Sequence, residues 1–140
     1  MDSKTLAQKL MDVWNSHKDS EVNNLIGPNY VCHDPANPNQ FGTGPEGFKQ
    51  RFQMYNTAFP DSKFTVEEIF AEGNKAVVRW SVKGVQKGQL FGIQPTNKNV
   101  QCSGTSICHI QDGKIAEEWT YWDAYGLLQQ LGVVSAMQAA

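Results

Sequence analysis

Apolar residues in the first half of the chain recur with the period of an α-helix. Between residues 3 and about 17 they share one helical face, at Leu6, Leu10, Val13 and Trp14, which predicts an amphipathic helix. The stretch DSEVNNLIGP predicts a second, short helix that ends at Gly27-Pro28. A third helix is predicted after Pro45, which suits a first helical turn, because aromatic residues then recur at helical spacing, at Phe48, Phe52, Tyr55 and Phe59.

Beyond Pro60 the pattern alternates with a period of two, which is typical of β-strands. The stretch KFTVEEIFAEGNKAVVRWSVKGVQKG predicts two strands that turn at residues 72–74. Two more strands, NVQCSGTSICHI and KIAEEWTYW, turn at Asp112-Gly113, and AYGLLQQLG predicts a final short helix. The remaining stretch, NYVCHDPANPNQFGTGPEG, is rich in Pro, Asn and Gly and predicts a loop.

This order of elements predicts an α+β fold, because helices come first and an antiparallel sheet follows. No linker or repeat divides residues 1–140, so we expect a single domain. A strongly curved antiparallel sheet, with the N-terminal helices over its concave face, would enclose a cone-shaped pocket suited to a small molecule.

The hairpin around QDGK decides which side chains face this pocket. A three-residue loop with Gly113 in a bulge would pair Ile110 with Lys114 and set Ser106 opposite Glu118. Side chains alternate along a strand, so one face would carry Ser106, Cys108, Glu118, Thr120 and Trp122. The other face would carry Ile107, His109, Glu117, Trp119 and Tyr121. A two-residue turn would shift the register by one residue and reverse the two faces.

Asp123 lies between the last predicted strand and the last predicted helix. A carboxylate there would either act as a catalyst at the pocket mouth or cap the helix by accepting hydrogen bonds from free backbone N–H groups. Apolar residues at helical spacing directly follow it, at Leu127, Leu128 and Leu131. This position at a helix start favours the cap.

Charge and composition argue against several classes of function. The formal net charge is -2 and no Lys/Arg cluster is present, which argues against nucleic-acid binding. No apolar run is long enough to span a membrane, and the N-terminus lacks the apolar region of a signal peptide. The odd set of cysteines, Cys32, Cys102 and Cys108, has no metal-type spacing and predicts free thiols in a reducing, cytoplasmic protein. Scattered His residues, and the lack of a phosphate-binding or dinucleotide motif, predict no metal and no cofactor.

Four segments in order, GPEGFKQRFQMYNTAFPD, GQLFGIQPTNKNV, DGKI and GLLQQLG, resemble the SnoaL-like family, the polyketide cyclases of the NTF2-like superfamily. The resemblance implies an α+β cone that is commonly a homodimer. It also implies a cofactor-free intramolecular aldol condensation, which closes a ring in a hydrophobic polyketide ester. In the family an Asp removes the substrate proton, while a His and other polar groups assist at the enolate or the acceptor carbonyl.

The resemblance also assigns family positions to residues of this chain. Counted out from the hairpin turn, the catalytic Asp and assisting His positions fall on Thr120 and Ser106. The His of the family's G-x-H-x-G corresponds to Gln86, and two pocket-shaping positions fall on Trp14 and Arg51. Hydroxyl groups do not act as proton bases near neutral pH, so a base for this reaction has to come from another position.

Glu118 is the candidate base, because strict alternation sets it on one face with Thr120 and Trp122. Against Trp122 in an apolar cavity, a carboxylate becomes a stronger base. Alternatively, Glu118 is a solvated strand residue or an ion-pair partner.

Three further polar residues are candidates for the site. Arg51, one helical turn before Tyr55, either enters the pocket and stabilises an enolate or extends along the surface. Arg79, on a central strand, would need a partner such as Glu118 if it faced inward, and would then be structural or hold a substrate. His33, on the predicted loop near the pocket rim, is a catalytic candidate or a surface turn residue.

Two functions therefore remain open. The first is a cofactor-free cyclase, isomerase or hydrolase that acts on a hydrophobic substrate of polycyclic or lactone type, with Glu118 as base and Arg51 or Arg79 stabilising the anion. The second is a small-molecule-binding protein without catalysis. A buried, unpaired carboxylate would favour the enzyme, whereas pocket residues that satisfy one another would favour the binding protein. In both cases the ligand would contact Trp14, Tyr55, Arg79, Gln86, Ser106, Thr120 and Trp122.

Overall fold

The computed structural model of the protein describes residues 1–135 and 137–139. Its elements, in chain order, are α1 (Ser3–Ser16), α2 (Val22–Leu25), β1 (Ile26–His33), α3 (Gly44–Ala58), β2 (Lys63–Glu72), β3 (Lys75–Val85), β4 (Asn99–Gln111), β5 (Lys114–Trp122) and α4 (Ala124–Gln130). The predicted α+β class is confirmed, and every predicted helix and strand is present. Within the described ranges, no helix is long and apolar enough to cross a membrane.

The sheet has a fifth strand that the sequence analysis treated mainly as loop. The strand order is β1-β5-β4-β3-β2, and β1 runs parallel to β5, so the sheet is mixed rather than purely antiparallel. β1 contains Gly27 and Pro28, and its pairing is interrupted between Ile26 and Val31. Proline cannot donate to a strand ladder and is tolerated at a sheet edge, which is where β1 lies. The loop prediction failed because this edge strand carries turn-forming residues.

The β4–β5 hairpin turns through two residues rather than three. Asp112 and Gly113 both have positive φ, 52° and 74°, as a type I′ turn requires. This turn pairs Ile110 with Ile115, but a bulge then leaves Ala116 unpaired, because His109 pairs with Glu117.

The bulge returns the side chains of β5 to the sheet faces that the sequence predicts. A two-residue turn alone would have reversed them, whereas the extra residue shifts the register back by one. As a result Ser106 lies opposite Thr120 rather than Glu118. The predicted register is therefore wrong by two residues, and the predicted division of side chains between the two faces is confirmed, since a two-residue shift preserves it.

Helices α1 and α3 cover the inner face of the sheet. The periodic apolar residues of both helices pack into one buried cluster with the sheet residues Cys108 and Ile115, through Leu6, Leu10, Val13, Trp14, Phe48 and Phe52. A smaller cluster joins Ala7 and Met11 of α1 to Val78 and Trp80 of β3. Burial of each large apolar side chain contributes about 1.5–3 kcal/mol. This packing holds both helices over the face that carries Glu118 and Thr120.

Asp123 caps α4, as the sequence indicates, because its Oδ1 accepts a hydrogen bond from the Gly126 backbone N–H at 2.9 Å. We expect Asp123→Ala to lower the free energy of unfolding by about 1 kcal/mol, measured by urea denaturation. The exposed Asp19 makes no cap, so Asp19→Ala should change stability by less than about 0.5 kcal/mol. An Asp123→Ala variant with native stability would contradict the cap.

Candidate functional site

A cavity lies between the helices and the inner face of the sheet. It contains about 800 Å³ of space free of protein atoms, including the part open to solvent. Most of its wall is aromatic or aliphatic. Its polar wall residues include Asp34, Arg51, Tyr55, Ser106, Glu118 and Thr120.

Glu118 lies in this wall and is 2% exposed. Its Oε1 accepts hydrogen bonds from the Tyr30 hydroxyl at 2.6 Å and from Arg51 Nη2 at 3.3 Å. No described residue donates a hydrogen bond to its other oxygen, Oε2. Glu118 is therefore an ion-pair partner, as one alternative had it, but its partner is Arg51 and not Arg79.

Arg51 is buried, with 5% of its surface exposed, so the surface alternative is wrong. Its guanidinium lies between aromatic rings, 5.3 Å from the Trp14 ring centre and 5.7 Å from that of Phe48. Besides Glu118, it approaches Asp34, with 3.8 Å between Nη1 and Oδ2. One cation therefore lies between two buried carboxylates.

The positive charge of Arg51 is stabilised by its neighbours. Burial alone would lower its pKa, but interactions with Tyr30, Cys32 and Glu118 hold the pKa of Arg51 well above its ordinary value. Its Nε is the one buried side-chain nitrogen or oxygen without a hydrogen-bond partner among the residues that the structure describes. The guanidinium remains charged at neutral pH and keeps an unused donor.

Asp34 is the functional candidate that the sequence analysis missed. Its side chain is 5% exposed, Oδ2 accepts from the Tyr55 hydroxyl at 2.6 Å, and Oδ1 accepts from Trp122 Nε1 at 2.9 Å. Tyr30 and Cys32 precede it at alternate positions and face the same core. That alternation would have identified Asp34 as inward-facing, had the stretch before it been recognised as a strand.

The two tyrosines act as hydrogen-bond donors to these carboxylates. Burial, reinforced by the charge of Asp34, raises the pKa of Tyr55. Burial, reinforced by Glu118, likewise raises the pKa of Tyr30 well above its ordinary value. Both hydroxyls therefore keep their protons at neutral pH and hold the carboxylates in fixed positions.

Ser106 and Thr120, to which the resemblance assigns the family's catalytic pair, face each other across β4 and β5. Ser106 Oγ donates to Thr120 Oγ1 at 3.3 Å and accepts from Trp80 Nε1 at 3.1 Å. The structure places both hydroxyls in the cavity wall, together with Trp14, Tyr55 and Trp122. They can orient a ligand by hydrogen bonding, but they supply no base.

Two expected site residues lie on the outer face of the sheet. Alternation along β3 turns Arg79 outward, where it is half-exposed and its Nε lies 3.8 Å from Glu68 Oε1. The His33 ring stacks on Trp119, and its Nε2 lies 2.7 Å from Glu117 Oε2. Neither side chain lines the cavity that holds Glu118, so this geometry does not support ligand binding by Arg79 or catalysis by His33 there. His33 instead lines a neighbouring cavity, together with Asp34 and Arg51.

Gln86 is fully buried but lies outside the cavity wall. Its side chain donates to the carbonyl oxygens of Gly88 and Ile93 and accepts from the backbone N–H and the hydroxyl of Thr96. We name residues 86–98 the 86–98 loop. Gln86 organises this loop, and its position outside the cavity wall does not support the expected contact with a ligand.

The three cysteines are free and unreactive by position. Burial raises the pKa of Cys32 to about 12 and that of Cys102 to about 11, and it raises the pKa of the fully buried Cys108 well above its ordinary value.

We expect Ellman's reagent at pH 8 to label the folded protein slowly, because the reactive thiolate is scarce. All three thiols should react at once after unfolding in guanidinium. A thiol that reacts in the folded protein as fast as a free cysteine would contradict this.

The arrangement can perform acid–base chemistry on an apolar ligand. Two carboxylates, each held by a tyrosine, share one arginine at the wall of an apolar cavity. Among the described residues, no three His, Cys, Asp or Glu side chains form a metal-binding group.

Comparison with known proteins places this geometry in a family. The family model of the SnoaL-like polyketide cyclases matches residues 4–131. The chain is 27% identical over 125 residues to the nogalonic acid methyl ester cyclase of Streptomyces nogalater, covering 88% of this chain and 92% of that protein. It is also 27% identical over 129 residues to the aklanonic acid methyl ester cyclase DnrD of Streptomyces peucetius, covering 91% and 88%.

The structural comparison agrees with the sequence match. The structure of TsrD from Streptomyces laurentii superposes with a TM-score of 0.83 at 26% identity, covering 93% of this chain and 94% of that one. The α+β architecture and the family match extend over nearly the same residues. With its NTF2-like fold and a match that spans almost its whole length, the chain belongs to the SnoaL-like polyketide cyclase family.

Proposed function

We propose that the protein catalyses a cofactor-free ring closure, by intramolecular aldol chemistry, on a hydrophobic polyketide-type ester bound in the cavity. Glu118 removes a proton from a carbon next to a carbonyl group, and Arg51 stabilises the resulting enolate. The observation that carries this proposal is the carboxylate of Glu118, which is buried in the cavity wall and keeps one oxygen, Oε2, without a hydrogen-bond donor among the described residues, while Arg51 lies 3.3 Å from the other. Glu118 lies only two residues from Thr120 on the same strand face, next to the position from which the family's Asp acts.

The proposed step conserves charge inside the cavity. The substrate C–H proton moves to Glu118 Oε2, and the negative charge moves from Glu118 to the enolate, which stays close to Arg51. The enolate carbon then forms a bond to the acceptor carbonyl carbon, and the new alkoxide takes a proton back from Glu118. Because Arg51 is charged and fixed beforehand, its field stabilises the enolate without reorganisation.

The relatives support the substrate class. Two are named methyl ester cyclases of nogalonic and aklanonic acid, and the aromatic wall of this cavity suits a flat, apolar ligand.

A binding protein without turnover is the second candidate, and one observation favours it. Glu118 Oε1 is held by Arg51 and Tyr30, and both oxygens of Asp34 and the hydroxyls of Ser106 and Thr120 are also satisfied by neighbouring side chains. Such mutual satisfaction is what a passive cavity would show.

Incubation with the methyl ester of an aromatic polyketide acid separates the two candidates. The enzyme should convert the ester into an isomer of equal mass, or its dehydrated form, with a changed chromatographic retention. Titration calorimetry with the same ester would detect binding. Saturable binding without any new product would overturn the cyclase proposal in favour of the binding protein.

We also propose that the protein acts as a cytoplasmic homodimer. Three free thiols support a reducing compartment. Exposed aromatic and aliphatic residues on the outer sheet face, Val31 and Tyr121, support burial of that face against a second copy. Light scattering during size-exclusion chromatography tests this, and a monomeric mass at micromolar concentration would refute the dimer.

A further inference from the structure

The tip of the 86–98 loop contains a large residue in an unfavourable backbone conformation. Phe91 has φ 51° and Gly92 has φ 81°. Hydrogen bonds in both directions between Leu90 and Ile93 close the turn, at 3.0 and 2.7 Å. This is a type I′ turn, whose first central position favours Asn, Asp or Gly. An aromatic residue there is strained, and such strain often marks a functional position.

The loop cannot easily relax this strain. Gln86 fixes it through four hydrogen bonds to Gly88, Ile93 and Thr96. The backbone N–H groups of Lys87 and Gly88 bind the carbonyl oxygen of Ala58 at the end of α3. The loop that carries the turn is therefore tied to the end of α3 and to itself.

Phe91 contacts the two residues that hold Asp34. Its ring stacks on Trp122, with ring centres 6.3 Å apart and planes 29° apart. It also meets Tyr55 edge to face at 6.3 Å. Trp122 Nε1 and the Tyr55 hydroxyl are the donors to the two oxygens of Asp34. Phe91 itself is absent from the cavity wall, so it contacts the ligand site only through these partners.

We infer that Phe91 is a positioning residue, held in a strained turn so that Trp122 and Tyr55 present a fixed aromatic surface, with Asp34 between them, to a planar aromatic ligand. This inference rests on the proposed role of the cavity as the ligand site, but it requires no turnover. A surface that is ordered before the ligand arrives loses less conformational entropy when the ligand binds.

The inference predicts that removal of the ring weakens binding without a large change in stability. Phe91→Asn relieves the strain at positive φ but loses the packing on Trp122 and Tyr55, so the melting temperature should change by less than about 3 °C. Affinity for 1,8-dihydroxyanthraquinone, followed by quenching of tryptophan fluorescence, should fall about three- to tenfold. Phe91→Tyr keeps the ring and should retain native affinity. Asp112→Asn introduces the same residue into the equivalent turn far from the cavity and should leave affinity unchanged.

An ordinary packing role would give a different result. If Phe91→Asn bound the anthraquinone with native affinity, the inference would be wrong. A native protein that failed to bind the anthraquinone would also overturn it, because the planar ligand would then be misassigned. A native protein that bound the anthraquinone but closed no ring in a polyketide ester would refute the proposed cyclase, and the effect of Phe91→Asn on affinity would still decide the inference.

Discussion

Glu118→Gln is expected to reduce ring-closing turnover by about 10²–10⁴-fold, the usual contribution of a general base. The amide has nearly the same shape, and its carbonyl oxygen can still accept from Tyr30 and Arg51. It cannot accept a proton from carbon, so kcat should fall while KM changes little. Initial rates measured by chromatography of the polyketide ester would test this.

Glu117→Gln is the matched control. Glu117 neighbours Glu118 on β5, but its side chain lies on the outer face, 2.7 Å from His33 Nε2. Its amide variant should retain native turnover. If Glu118→Gln also retained turnover, the base would lie elsewhere, and Asp34→Asn would be the next variant to assay.

Arg51→Met is expected to destabilise the fold by about 3–5 kcal/mol, because it leaves Glu118 and Asp34 as buried carboxylates without a counter-charge. Methionine fills most of the same volume between Trp14 and Phe48, so the lost charge dominates the effect. Urea denaturation followed by circular dichroism gives the free energy of unfolding.

Two controls separate charge from packing. Arg79→Met removes an exposed arginine whose partner is Glu68, and it should change stability by less than about 0.5 kcal/mol. The double variant Arg51→Met with Glu118→Gln should recover part of the loss, because only one unpaired carboxylate remains. Equal stability of Arg51→Met and the native protein would show that the cluster does not depend on the arginine.

The elements that follow a local period could be predicted, and those that depend on distant pairing could not. Periods of 3.6 and 2 identified α1, α3 and β2 to β5, since periodicity records which side of an element is buried. The prediction missed β1 because this segment is a strand through its pairing with β5, while its own composition is typical of a loop. The predicted register of the β4–β5 hairpin was wrong for a related reason, since no local sequence signal indicates the bulge at Ala116.

The candidate site was predicted in part for the same reason. Alternation placed Glu118 and Thr120 correctly on the inner face of β5, and helical spacing identified Arg51 as a candidate for the cavity wall. The partner of each charge was not predictable, because Asp34, Arg51 and Glu118 come from three separate elements. The outward positions of Arg79 and His33 were not predicted, because residue type alone does not decide the face of a strand.

The parallel pairing of β1 with β5 also has a consequence for the order in which the chain folds during synthesis. Tyr30 and Glu118, which bond to each other, are 88 positions apart, and closing so long a loop is slow and entropically costly. Residues of α1, β1 and α3 leave the ribosome before those of β5, because they come earlier in the chain. Until then Arg51 has no glutamate to pair with, and the edge of β1 has no neighbour. We therefore expect the Tyr30–Glu118 and Arg51–Glu118 contacts to form only after β5 has been synthesised, late in folding.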